Sequence, residues 1–344
     1  MTTPHPHGPL VPAAGRDTVP AVDNELSEAA AARIADSWAA NTRTAYSRDW
    51  TAFRTWCDAH DRSALPASAA TLATYVDALT RTVPPPAPAT VDRALGTIQS
   101  HHTAVGLPLD TKPARMVLRS YRRERAQAGH TPRRAPALTV DQLRAMVDAT
   151  GDDLVGLRDR TLCLLGFAMM ARRSELAALD IDDVREVAEG LEVRVRTSKT
   201  DRDSVGAGVA VPYGSLARTC PVRTTLAWIA ALAETGITTG PLLRAVDRHG
   251  RPAGTPGATV RGSGRMSGAG INHVVKTLAQ RAGIDAPVTA HSLRAGAATA
   301  AAAARVPRAH IARQGRWSLR SPVVDTYIRP ADAWNDNPIR HVGL

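Results

Sequence analysis

Apolar residues in the first third of the chain return at every third or fourth position, the helical period. Tyr46, Trp50, Phe53 and Trp56 form one such stripe. It predicts an amphipathic helix opening at Asn41, a residue suited to capping, with the aromatic stripe packed into a core. The periodicity starts near Ser27 and strengthens from Asn41. Further helices are expected over Ala67 to Thr80, Thr90 to His102 and Pro113 to Gln127. The run Val83-Pro84-Pro85-Pro86-Ala87-Pro88 between the second and third removes amide donors and reads as an extended connector.

From Ala128 to Pro136 the pattern lapses into breakers and charge, as in a linker. Thr139 then opens a helix, with Gln142 completing a capping-box pattern, and an apolar helix over Leu157 to Met170 is the expected centre of a second domain. Leu191-Glu192-Val193-Arg194-Val195-Arg196 and Val209-Ala210-Val211 alternate with period two. They predict a β-hairpin whose polar turn, Thr197 to Gly206, carries Lys199. Gly250 to Gly270 reads as a loop without a Walker pattern, which argues against nucleoside triphosphate use. A helix begun after Pro307 should end at Gly315, and Ser321-Pro322 should start a short one over Val323 to Ile328. The expectation is a mainly α fold with a small antiparallel β-sheet. It divides into an arm (1–25), a helical domain (26–127), a linker (128–138) and a second domain (139–344).

Composition narrows the partner. The chain has 344 residues, 44% of them apolar, enough for real cores, and a net charge of +11. Clustered cations favour a polyanion, because phosphates release counterions when neutralised. Arginine supplies nearly all the positive charge; Lys112, Lys199 and Lys276 are the only lysines. Cys57, Cys163 and Cys220 are too few and too scattered for a disulfide framework or metal cluster, and each reads as a buried small hydrophobe. A reducing cytoplasm is therefore the default. No apolar run is long enough to span a bilayer. The proline-rich start lacks the apolar stretch of a secretion signal and reads as a disordered arm.

The chemistry-bearing residues lie in the second half. Arg172 and Arg173 precede Ser174-Glu175-Leu176, a helix start at which Glu175 can hold an arginine by a charge-assisted pair. His291 and Arg294, spaced i, i+3, share one face of an alanine-rich helix. Trp317 follows Gly315-Arg316, and Tyr327 lies in the second turn of the short helix. Taken singly, each has an ordinary reading: a surface ion pair, a capping histidine, a solvated lysine, core aromatics. Together, two arginines, a lysine, a histidine and a tyrosine suit phosphodiester chemistry without a metal or cofactor. Guanidiniums neutralise the phosphate and a phenol attacks it.

In their order and spacing these residues resemble the tyrosine recombinase (phage integrase) family, over about residues 27 to 344, and within it the Cre-like branch. The resemblance implies a catalytic set of Arg172, Lys199, His291, Arg294, Trp317 and Tyr327, with Tyr327 as nucleophile and Glu175 behind the first arginine. It implies a two-domain, C-shaped clamp on double-stranded DNA, with an N-terminal core-binding domain. It also implies a 3′-phosphotyrosine intermediate, a Holliday junction made by four protomers, and a tail after Tyr327 that docks on a neighbouring protomer. Accessory DNA-bending proteins are possible partners. The interval from Trp317 to Tyr327 is one residue longer than usual, so either the loop bulges or Arg316 takes the third position. Arg43, Arg48, Arg93, Arg122, Arg123, Arg173 and Arg316 are the candidate DNA contacts. The rival readings are a type IB topoisomerase-like nicking and resealing enzyme and a non-catalytic DNA-binding protein that retains the fold.

Overall fold

The computed structural model describes residues 40–131, 134–196, 206–260 and 262–328, with isolated positions 27, 29, 33, 337, 339 and 342. The expected arm, Lys199, the turn around it and nearly all of the tail lie outside the described residues. The chain divides into two compact units, Met1–Arg133 and Arg134–Leu344.

Among the described residues of the first unit, four helices enclose an apolar core: α1 (Ala40–Asp58), α2 (Ala69–Thr80), α3 (Pro88–Ala104) and α4 (Lys112–Gln127). Phe53, Leu72, Val76, Leu95, Ile98 and Leu118 are buried in it. Phe53 meets Tyr75 edge-on at 4.9 Å, and Trp50 stacks on His101 at 4.1 Å, so the aromatic stripe is packing. Asn41, expected to open α1, falls inside it, because the chain is already helical at Ala40. Ser68 caps α2 by accepting the Thr71 N–H, and Pro88 opens α3, where a missing N–H costs nothing. The proline run before it leaves Val83 95% exposed.

The second unit begins with α5 (Val140–Asp148), started by the Thr139–Gln142 capping box, and the buried α6 (Leu154–Ala168). The short α7 (Arg173–Ala178) leads into three antiparallel strands in the order β1 (Val184–Val187), β2 (Gly190–Val195) and β3 (Ala207–Pro212). Val193 pairs with Val184 on one side and Val209 on the other. Strand β1 escapes the sequence pattern because its partly buried residues are its two ends, Val184 and Val187, and not alternate positions. Then follow α8 (Pro221–Glu234), α9 (Gly268–Arg281), α10 (Ala290–Ala303) and α11 (Arg308–Gln314). The core joins Leu162, Leu165, Val193, Trp228, Ile271 and Leu293.

Two details place the site. Leu138, expected in the linker, is buried against α10 and donates its N–H to the Ser292 carbonyl at 3.2 Å. A Cβ on Gly296 would stand 2.1 Å from the Leu138 oxygen, so glycine is what permits that approach. The Gly-rich segment is a loop ordered from within. Arg244 donates to the carbonyls of Thr239, Ala253 and Ser263, while the Asp247 carboxylate accepts the N–H groups of His249, Arg251 and Thr259.

Candidate active site

Four segments of the second unit converge on one cluster. Arg172 precedes the first turn of α7, and its backbone N–H donates to Glu175 Oε2 at 2.8 Å. Its Nη1 donates to Glu175 Oε1 at 2.5 Å and its Nη2 to the Arg316 carbonyl at 3.4 Å. The chain reaches Arg172 through Met170 at φ 47°, a left-handed turn ending α6.

The first turn of α10 presents His291 and Arg294 together, as their spacing requires. Arg294 is 1% exposed. Its Nη1 donates to the Met170 carbonyl at 2.5 Å and its Nη2 to the Gly315 carbonyl at 2.6 Å. The Trp317 ring covers it, with the guanidinium carbon 3.9 Å from the ring centroid. Trp317 reaches that position because Gly315 leaves room: a Cβ there would lie 1.9 Å from the indole.

Tyr327 sits in the helical turn 325–328, anchored by the buried Val324. Its hydroxyl lies 2.9 Å from His291 Nε2, and its ring centroid 5.4 Å from that of Trp317.

Arg316 is corrected by the structure. Expected either at the third position or on the DNA-facing surface, it is buried. At φ 56° it turns inward, donates Nη1 to the Met169 carbonyl at 3.0 Å and pairs Nη2 with Glu175 Oε2 at 2.5 Å. Trp317 lies beside the tyrosine, with turns between the two. No sequence signal marks the Met170 and Gly315 carbonyls as partners of Arg294, because they depend on backbone conformation alone.

The electrostatics follow from three guanidiniums facing one carboxylate. Burial pushes the Glu175 carboxyl up, but bonds and charge from Arg316 and Arg172 outweigh it and hold it below the ordinary value. Burial, with the neighbouring cations Arg172 and Arg316, pushes Arg294 down to about 9. Burial and the Arg294 and Arg172 charges lower His291, favouring its neutral form. The Tyr327 phenol is raised by burial, against the pull of Arg294, Arg134 and Arg172. The cluster thus holds a neutral phenol, a histidine ready to accept a proton, and positive charge that an anion would relieve.

Of the other sequence-predicted arginines, Arg173 belongs to the second unit and the rest to the first. Arg173 is exposed on α7, its side chain along Gly268. Arg43 and Arg48 are exposed on α1 and Arg123 on α4. Arg93 is not an open cation: both oxygens of Asp49 hold it, at 2.8 and 3.0 Å. Arg122 is exposed but paired with Asp92 at 2.8 Å.

No family model matches the chain. The integrase/recombinase XerD homolog of Selenomonas ruminantium is 31% identical over 329 residues, covering 93% of this chain and 90% of that protein. Among solved structures, a lambda integrase dimer bound to a COC′ core site superposes with a TM-score of 0.54 at 14% identity, over 87% of this chain and 93% of that one. The XerH site-specific recombinase on palindromic difH, in a post-cleavage complex, gives 0.53 at 13% identity, over 79% and 70%. These two likenesses establish the fold. Identity to the XerD homolog along nearly the whole of both chains establishes the kinship: the chain belongs to the tyrosine recombinase family, enzymes that cleave and rejoin DNA in site-specific recombination.

Proposed function

We propose that Tyr327 attacks a scissile phosphate clamped by Arg172 and Arg294, forming a 3′-phosphotyrosine and releasing a 5′-hydroxyl. The observation that carries this reading is the 2.9 Å contact between the Tyr327 hydroxyl and His291 Nε2, beside the guanidiniums of Arg172 and Arg294. A phenol is a weak nucleophile until its proton leaves, and the lowered His291 is poised to take it; positioned general bases contribute about 10²- to 10⁴-fold.

The scissile phosphate brings its negative charge to these guanidiniums. Negative charge grows on its non-bridging oxygens in the five-coordinate transition state, where fixed guanidinium donors act most strongly. Arg294 keeps N–H groups beyond the two given to carbonyls, and the covering indole must tilt away for the phosphate to reach them. Trp317 then packs or hydrogen-bonds beside it through the indole N–H. Lys199 is assigned as the acid for the leaving 5′-oxygen. Bond energy stays in the phosphotyrosine, so attack by a 5′-hydroxyl from another strand reseals DNA without ATP.

The substrate is double-stranded DNA. The helical domain over residues 26–127 is the core-binding domain, and the domain over 139–344, on which Leu138 packs, is the catalytic domain. Recombination takes four protomers through a Holliday junction, with the tail after Tyr327 docking on a neighbour. A lambda integrase tetramer bound to a Holliday junction, alike in fold at TM-score 0.54, is the precedent for that assembly. The protein works inside the cell on the nucleoid, with DNA-bending accessory proteins where the site requires them.

The test uses a duplex selected from a random pool by binding to the Tyr327→Phe protein, then nicked at successive positions across the bound stretch. Wild type should form a covalent adduct on a denaturing gel, and Tyr327→Phe should bind equally and form none. An adduct from Tyr327→Phe removes the nucleophile assignment.

A further inference from the structure

The segment that delivers Tyr327 has little to hold it. Of residues 318–325, only Val324 is buried. Tyr327 and Ile328 pack beside Val324 on the α10–α11 core, but a nucleophile must also be held in line with phosphorus, and the stretch leading to it needs polar ties.

Arg308, the first residue of α11, supplies the missing hold. Its Nε donates to Asp325 Oδ1 at 2.6 Å, its Nη1 to the Leu319 carbonyl at 2.7 Å and its Nη2 to the Ser321 carbonyl at 2.8 Å. One rigid fork therefore ties three points of the chain between Trp317 and Tyr327, the last of them two residues before the phenol. The turn closed by the Ser321 N–H on the Ser318 carbonyl, at 2.9 Å, lies within the tied stretch, which also holds the extra residue of the long interval. Behind Arg308, Ile311 and Ala312 of α11 are buried with Met170, Ala297, Ala298 and Val324. The placement of α11 on α10, which carries His291 and Arg294, is thus passed to the tyrosine turn.

We propose that Arg308 is a positioning residue for the Tyr327 nucleophile, acting through Asp325 and the Leu319 and Ser321 carbonyls. This rests on the role proposed above for Tyr327. The ion pair is partly solvent-exposed, so by itself it contributes little to folding. Its effect belongs to geometry, where a displacement of about 1 Å lowers a rate by about 100-fold.

The experiment is single-turnover cleavage of the selected, nicked duplex at saturating protein, with affinity and thermal midpoint measured separately. Arg308→Ala should lower the cleavage rate about 10- to 100-fold, leaving affinity unchanged. Arg308→Lys can hold Asp325 but not both carbonyls and should recover part of the rate. Asp325→Asn keeps the carbonyl bonds and should lose least. Should Arg308→Ala fail to fold, the order wild type, Asp325→Asn, Arg308→Lys carries the same test. Undiminished cleavage by Arg308→Ala, or by Arg308→Lys where the alanine variant fails to fold, overturns the clamp. So does a rate that falls only in step with affinity or melting. Absence of any adduct from wild type removes the Tyr327 assignment instead, and this inference with it.

Discussion

The two units use arginine in opposite ways. In the helical unit, Arg93 answers Asp49, and Arg115 and Arg122 share Asp92 at a surface where water and salt screen what remains. In the second unit, Arg172, Arg294 and Arg316 crowd around Glu175 and the carbonyls of Met169, Met170, Gly315 and Arg316, with Arg294 and Arg316 buried. Charges at a surface are screened by water and salt, whereas charges crowded in a buried cluster act on one another, and on any anion that enters, with little screening. Charge count along the chain is blind to this difference. Burial and convergence on Tyr327 together mark Arg172 and Arg294.

The contrast is broken most severely at Glu175. Glu175→Ala leaves two guanidiniums without their carboxylate and should lower stability by about 3–5 kcal/mol in urea unfolding; a change no larger than at a surface pair would erase the distinction. The pH dependence has a definite sign. The Glu175 carboxyl is held below its ordinary value of 4.5, so its contribution is full above that pH and is lost as pH falls through the lower folded value. Acid destabilisation below 4.5 should be milder in Glu175→Gln, measured against its own neutral-pH stability.

Next in size is Arg294→Ala, expected to cut cleavage about 10²- to 10³-fold with far less effect on affinity. Equal losses in binding and cleavage would place Arg294 among general DNA contacts. Smaller again is the acid limb of cleavage. With His291 lowered, the neutral base persists to more acid pH than an ordinary histidine, so the limb should begin below 6.5 and then fall about tenfold per pH unit. A limb centred above 6.5, or one unchanged in His291→Gln, would contradict the proton-acceptor role. The smallest effect is at the surface, where Arg122→Ala should shift stability by only about 0.2–1 kcal/mol. If α4 faces DNA, the same substitution should reduce the salt slope of binding by about 1.

The sequence was most legible where one local rule decides the outcome. The Thr139–Gln142 capping box, the His291–Arg294 spacing and the alternation around Val193 each specify an element without reference to distant residues. It was least legible where backbone conformation carries the contact. Met170 and Arg316 both take left-handed φ without being glycine, and those two turns aim carbonyls at Arg294 and turn Arg316 onto Glu175. Nothing in the residue pattern around Arg316 separates an inward-facing side chain from a DNA contact. Leu138 misled in the same way: one apolar residue among breakers reads as linker, until a glycine on α10 admits its backbone.

The central claim is tested most directly by identifying the residue that carries DNA. Wild-type protein is trapped on the selected, nicked duplex, digested with trypsin and nuclease, and the nucleotide-bearing peptide is sequenced by mass spectrometry. The nucleotide should be esterified to the Tyr327 oxygen through a 3′-phosphate. Attachment at any other residue, or through a 5′-phosphate, would contradict the mechanism.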